Sequence, residues 1–137
     1  MNNLPQSVLA TANLSGKEYA WPTNAFLAAL DESASAGFAC IGGQFQFRFP
    51  DGTCEMYWLE ADARDKEPSE IWSVYVERAR QEVKAGFENL IAKTDFAKEA
   101  KSWPFIENKM TSGANPLDYL FFCAYFVSES EYPKRAL

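Results

Sequence analysis

The feature that most constrains the fold is a long amphipathic stripe in the middle of the chain. Apolar side chains recur at three- and four-residue spacing between Ser69 and Lys93, which is the period of an α-helix with one buried face. We expect a helix over about 69–93, with Ser69 as its N-cap and Glu70 in its first turn. The stripe consists of Ile71, Trp72, Tyr75, Val76, Ala79, Val83, Phe87, Leu90 and Ile91. Such a face needs an apolar surface to pack against.

Two stretches upstream of this helix have the character of β-strands. Phenylalanines alternate with Gln and Arg between residues 44 and 49, the sequence Pro-Asp-Gly-Thr follows, and a second apolar run covers 54–61. The pattern predicts a hairpin at about 39–61. Gly42 and Gly43 interrupt its first strand, which predicts a bend, a bulge or the close approach of another backbone.

The register of this hairpin stays open at this stage. A two-residue Asp-Gly loop pairs Phe49 with Cys54 and Phe47 with Met56, as the hydrophobic pattern favours. A type I turn with a bulge, which the turn residues favour, pairs Phe47 with Glu55 instead. The second strand is apolar on both alternations, so it accommodates either register.

The remaining segments give shorter signals. A helix is predicted over about 23–36 and a second one over 96–103, stopped by Pro104; residues 107–115 are predicted to be a loop. The aromatic run at 118–128 is predicted to be a buried central strand.

A helix capped at Asn115 is the alternative for that run. Residues 1–20 are expected to be an extended lead-in, with a short strand as an alternative. We therefore predict one domain over residues 1–137, of the α+β class, with an antiparallel or mixed sheet packed against the long helix.

The composition excludes several kinds of chemistry. Histidine is absent, which excludes Ser-His-Asp and Cys-His catalysis and His-ligated zinc. The three cysteines, Cys40, Cys54 and Cys123, form no CxxC pair and are predicted to be buried apolar side chains. No phosphate-binding, dinucleotide-binding or nucleophile-elbow motif occurs. We expect no enzymatic activity, no cofactor and no metal.

The charge is acidic and concentrated. The net charge is −6, and residues 51–70 contain seven acidic and two basic residues, which gives −5. This balance disfavours nucleic acid and anionic membranes as partners and permits a basic protein. No apolar run reaches the ~20 residues of a membrane span. The N-terminal residues lack the features of a signal peptide, so we expect a cytoplasmic protein.

The acidic residues near the end of the second strand allow three interpretations. Glu55, Glu60, Asp62 and Asp65 form a solvated surface, a docking patch for a basic protein, or a catalytic or metal site. Paired carboxylates can perform acid–base hydrolysis without histidine. A histidine-free hydrolase is therefore an alternative function, and a regulatory protein-binding module is another.

The first half of the chain carries a family resemblance. Trp21-Pro22, an Ala/Leu-rich helix, the stop at Gly37 and an apolar step into Gly42-Gly43 resemble bacterial polymorphic-toxin immunity proteins, including those of contact-dependent growth inhibition. The resemblance covers under a third of the chain. It implies a small cytosolic α+β protein that binds and neutralises one cognate toxin domain.

The resemblance and the acidic window together predict where a partner docks. We expect a cognate toxin domain, such as a basic nuclease, to contact the acidic end of the hairpin and the connection after it. The predicted contact residues are Glu55, Tyr57, Trp58, Glu60, Asp62, Asp65 and Glu67.

Overall fold

A five-stranded antiparallel sheet organises the structure, a computed structural model that describes residues 3–132. Its strands in chain order are β1 (Asn13–Ser15), β2 (Glu18–Pro22), β3 (Ala39–Phe49), β4 (Gly52–Asp62) and β5 (Leu120–Val127). Their order across the sheet is β1-β2-β5-β3-β4, so the last strand of the chain lies in the middle. The predicted α+β class is confirmed, and the sheet is wholly antiparallel.

Five α-helices accompany the sheet. They are α1 (Gln6–Leu9), α2 (Phe26–Ser35), α3 (Trp72–Lys93), α4 (Phe96–Lys101) and α5 (Pro104–Thr111), and a 3₁₀ turn (Pro116–Tyr119) precedes β5. The long helix α3 packs on β3 and β4, as predicted. Within residues 3–132, no helix has both the length and the apolar character needed to cross a membrane.

The start of α3 differs from the prediction. The helix begins at Trp72, its N-cap is Ile71, and Ser69 does not cap it. The reason lies in Glu70, whose carboxylate accepts hydrogen bonds from the Glu67 backbone N–H and from the Arg78 guanidinium. These bonds hold the residues before Ile71 in a separate turn.

The core lies between the sheet and the helices and is rich in phenylalanine. Phe45 is fully buried and its ring centroid lies 5.3 Å from that of Phe87, 5.0 Å from Phe96 and 4.9 Å from Phe122. The three cysteines are buried and unpaired, which confirms that prediction. The core thus joins α3 and α4 to the two central strands.

The aromatic run near the C-terminus forms a central strand, as predicted. Six of the eight residues of β5 are buried because β2 and β3 flank it on both sides. The signal at Asn115 is nevertheless real, since its side chain accepts a hydrogen bond from the Leu117 N–H and caps the 3₁₀ turn. The cap therefore precedes the strand and starts no α-helix.

Two other predictions are wrong. Pro104 ends one helix but also occupies the first turn of α5, where its missing N–H costs nothing, so the predicted loop at 107–115 is helical as far as Thr111. Residues 1–20 are not a simple extended lead-in, because they contain α1 and the β1–β2 hairpin; the alternative of a short strand is closer to the structure. The weak periodicity of that segment reflects its very short elements.

Candidate protein-binding surface

The β3–β4 hairpin turns at a different place from that in either predicted register. Phe49 pairs with Gly52, so the connecting loop consists only of residues 50–51. Gly52 becomes part of β4 because its missing side chain leaves room for the ring of Phe105, which would lie 3.0 Å from a Cβ atom at that position. Both registers considered for this hairpin are therefore wrong.

A bulge interrupts β4 halfway along its length. Phe45 of β3 pairs with Met56, but the next residue, Gln44, pairs with Glu60. Residues 57–59 consequently have no partner on β3. Bulges of this kind redirect side chains and occur often beside functional sites.

The bulge changes which residues of β4 face the core. Before it, Met56 is buried in the core, and after it Ala61 is. Side chains alternate along a strand, so Glu55, Glu60 and Asp62 all lie on the opposite side of the sheet. Without the bulge, Glu55 and Glu60 would lie on opposite faces.

The side of the sheet that these carboxylates share is polar, and we call it the open face. It comprises the side chains of Asn13, Ser15, Glu18, Gln44, Gln46, Arg48, Thr53, Glu55, Glu60, Asp62 and Tyr125. The phenylalanine core and the helices packed on it occupy the other side. The open face therefore combines exposed carboxylates on β4 with polar side chains that are buried near the centre of the sheet, such as Gln46 and Arg48.

A buried hydrogen-bond network stiffens this face. Arg48 is only 5% exposed and donates to the Gln46 side-chain oxygen at 2.9 Å, to the Asn13 carbonyl at 2.8 Å and to the Glu18 carbonyl at 3.2 Å. The guanidinium thereby ties the β1–β2 hairpin to β3 across β5. Hydrogen bonds to a charged donor are stronger than neutral ones, so the network holds the open face in one arrangement.

A small cavity lies on the open face above Gly42. It has a volume of about 170 Å³ and is lined by Ile41, Gly42, Gly43, Gln44, Glu60, Asp62 and Tyr125. Gly42 has φ +149°, and a Cβ atom there would overlap the Asp62 carboxylate, so a larger residue would both strain the backbone and fill the cavity. A Cβ atom on Gly43 would overlap the Cys123 carbonyl of β5, which confirms the predicted close approach.

The carboxylates on β4 have no basic partner within the part of the chain that the structure describes. None of the ion pairs among residues 3–132 includes Glu55, Glu60 or Asp62. Partial burial raises the pKa of Asp62 above its ordinary value, and the neighbouring charge of Glu60 raises it further. Glu55 accepts a hydrogen bond from the Gln44 amide at 2.8 Å, which is a neutral partner.

Two aromatic side chains are exposed in the bulge, which lies between Glu55 and Glu60 along β4. Tyr57 is 69% exposed and Trp58 is 47% exposed, and their ring centroids lie 5.1 Å apart. Trp58 is fixed by stacking on Trp103, with a centroid distance of 6.2 Å, and by donating its indole N–H to the Glu99 carboxylate at 3.2 Å. The bulge thus presents an exposed aromatic pair in a defined orientation.

The structure places Asp65 and Glu67 in a different setting from the β4 carboxylates. They lie on the connection to α3, where Arg78 donates to the Asp65 carbonyl at 3.0 Å and pairs with Glu70 at 2.7 Å. The hydrogen bond from Arg78 lowers the pKa of the Glu70 carboxyl to about 2. The predicted contact set therefore divides into a β4 group on the open face and a connection group near Arg78, although the Asp65 and Glu67 carboxylates also form no ion pair among the described residues.

Sequence reasoning missed Gln44 and Tyr125 as neighbours of the acidic residues. The polar alternation of Gln44, Gln46 and Arg48 along β3 was a visible signal that this strand has a second, polar face. Tyr125 carried no comparable signal, because it lies within an unbroken apolar run.

Comparison with known protein families, with curated proteins and with solved structures finds no match for this chain. Within the described residues, no group of three or more Cys, Asp or Glu side chains is arranged to hold a metal ion. The geometry of the open face and of the bulge therefore carries the functional argument.

Proposed function

We propose that this protein is an immunity protein that binds and neutralises a cognate toxin domain with a basic surface, in the cytoplasm. The observation that carries the proposal is the β4 bulge, which brings three carboxylates onto one face of the sheet and exposes two aromatic rings in the same strand. The contact surface consists of Glu55, Tyr57, Trp58, Glu60 and Asp62.

The chemistry of this surface suits a protein partner. Tyr and Trp are the residues that most often dominate binding energy at interfaces, since they bury a large area with little loss of conformational freedom. The surrounding negative charge accelerates encounter with a basic partner and disfavours acidic ones. Trp58 is already held by Trp103 and Glu99, so ordering it on binding costs little entropy.

A protection assay tests the proposal. The gene directly upstream of this one is expressed as its C-terminal toxin domain, with and without this protein, and cell survival is counted. We expect survival only with this protein, and loss of survival when Tyr57 and Trp58 are both changed to Ala. Failure of the wild-type protein to protect, or its association with a non-toxic regulatory protein instead, contradicts the proposal.

One observation favours a second candidate function, a histidine-free hydrolase. Glu60 and Asp62 line a common cavity, and the pKa of Asp62 is raised, as in enzymes whose two carboxyl groups share acid and base roles. Turnover of a glycoside or phosphoester substrate that Glu60→Gln and Asp62→Asn each abolish supports this function. We expect no such turnover, because binding explains the exposed aromatic pair and hydrolysis does not.

A further inference from the structure

We propose that the cavity above Gly42 receives the guanidinium group of an arginine on the bound partner. The inference rests on the proposed function and names the chemistry by which the open face recognises a basic protein.

The cavity is large enough to receive the end of one long side chain. Its volume of about 170 Å³ is that of five to six waters at ~30 Å³ each. The backbone of Gly42 lines the cavity together with Glu60, Asp62 and Tyr125. Tyr125 is held in place by donating its hydroxyl to the Glu18 carboxylate at 2.6 Å.

Glu60 and Asp62 line the cavity, so we expect it to bind a cation from outside the chain. Two other carboxylates of residues 51–70 already pair with a base, since Lys109 pairs with Asp51 and Arg78 pairs with Glu70. Glu60 and Asp62 form no ion pair among the described residues, although they lie close enough for one to raise the pKa of the other. A bound cation offsets that repulsion.

A guanidinium group satisfies this site better than other cations. Its planar fork donates two parallel hydrogen bonds to carboxylates, so it can bind Glu60 and Asp62 together. It also packs flat against aromatic rings, and Tyr125 supplies such a ring. Calcium and magnesium require six or more oxygen ligands in a closed shell. The open face also leaves room for the polypeptide that carries the arginine.

The test uses N-acetyl-arginine methylamide as the probe and the backbone amide NMR signals of the full chain as the readout. We expect saturable shifts at Gly42, Gly43 and Gln44, and no saturable shifts with the neutral analogue N-acetyl-citrulline methylamide. The double variant Glu60→Gln/Asp62→Asn should bind the probe at least about tenfold more weakly.

The matched control is Asp65→Asn/Glu67→Gln, which removes the same charge from the connection and should leave the probe's affinity unchanged. Equal shifts with citrulline, or equal losses in both double variants, overturn the inference. Saturable binding of magnesium or calcium chloride at these amides without arginine binding also overturns it.

The protection assay separates this inference from the function on which it rests. If the wild type protects cells and the arginine probe does not bind the cavity, the inference fails and the proposed function stands. If the probe binds the cavity and the wild type does not protect, the proposed function fails.

Discussion

Reversing the charge of the β4 carboxylates is the perturbation that tests the electrostatic argument most fully. Glu60→Lys and Asp62→Lys each change the charge by +2, so the double variant moves the net charge from −6 to −2. The three β4 carboxylates together contribute −3. With Glu55 retained, the same three positions contribute +1 in the variant, which repels a basic partner.

The expected effect is on the rate of association and depends on salt. Electrostatic steering raises association rates by a factor of about 10–10³ over uncharged surfaces. We expect the double variant to associate with the toxin domain at least about tenfold more slowly at 10 mM salt, where the Debye length is ~30 Å. At 1 M salt that length is ~3 Å, and the difference should shrink to about twofold.

Stopped-flow tryptophan fluorescence measures these rates, and the connection supplies a matched control. Asp65→Lys/Glu67→Lys makes the same +4 change in net charge beside Arg78 and outside the open face. We expect it to slow association far less. Both variants should unfold within about 0.5 kcal/mol of the wild type, because all four side chains are exposed. Equal slowing by both pairs, or no slowing at 10 mM salt, refutes the reasoning.

Three further predictions concern the scaffold of the site. Gly43→Ala should lower the free energy of unfolding in urea by about 1–3 kcal/mol, because the new Cβ overlaps the Cys123 carbonyl of the central strand. Asp62→Asn should raise the melting temperature at pH 7, since the folded-state pKa of Asp62 is raised and its ionised form is therefore disfavoured by folding. That gain should disappear below about pH 3.8, where the carboxyl group is protonated in both states. Cys40 should react with a thiol reagent only as fast as the protein opens, because burial protects the thiol and raises its pKa to about 12.

Each of these has a clear contrary result. An unchanged urea midpoint for Gly43→Ala contradicts the close approach of β3 and β5. A melting temperature for Asp62→Asn that falls at pH 7 contradicts the crowding of the two carboxylates. Rapid modification of Cys40 in the folded protein, followed by mass spectrometry, contradicts its burial.

The general architecture was predictable because several independent periodic patterns in the sequence indicate the same arrangement of helix and sheet. The apolar stripe of α3, the alternation along β3 and the aromatic run of β5 each predict one element, and their apolar faces can be buried only against one another. The β1–β2 hairpin escaped prediction because strands of three and five residues are too short to show a period. α5 escaped it because Pro104 was interpreted as a stop and not also as a start.

The register of the hairpin was unpredictable for a physical reason that concerns the site. In β4, Met56 faces the core before the bulge and Ala61 faces it after the bulge, so the core-facing positions shift by one residue at 57–59. Apolar residues therefore occur on both alternations of this strand. A pattern of period two cannot reveal such a change. The identity of the acidic residues was visible in the sequence, but that Glu55 and Glu60 share a face depends entirely on the bulge.

The division of the acidic residues into a β4 group and a connection group could not be predicted from the sequence either. Asp65 and Glu67 are as acidic as Glu60 and Asp62, and only the position of Arg78 one helix away distinguishes their surroundings. Charge counted along the chain does not show which bases approach from elsewhere in the fold.

The affinity of the purified protein for its proposed partner, the C-terminal domain encoded by the gene directly upstream, tests the central claim most directly. Tyr57→Ala removes an aromatic side chain that is 69% exposed at the bulge, and Ile71→Ala removes an apolar side chain of the same 69% exposure before α3. We predict that calorimetry gives a dissociation constant about 30-fold weaker for Tyr57→Ala, equivalent to about 2 kcal/mol, and unchanged for Ile71→Ala. Wild-type affinity in Tyr57→Ala, or an equal loss in both variants, would contradict the assignment of the β4 bulge as the binding surface.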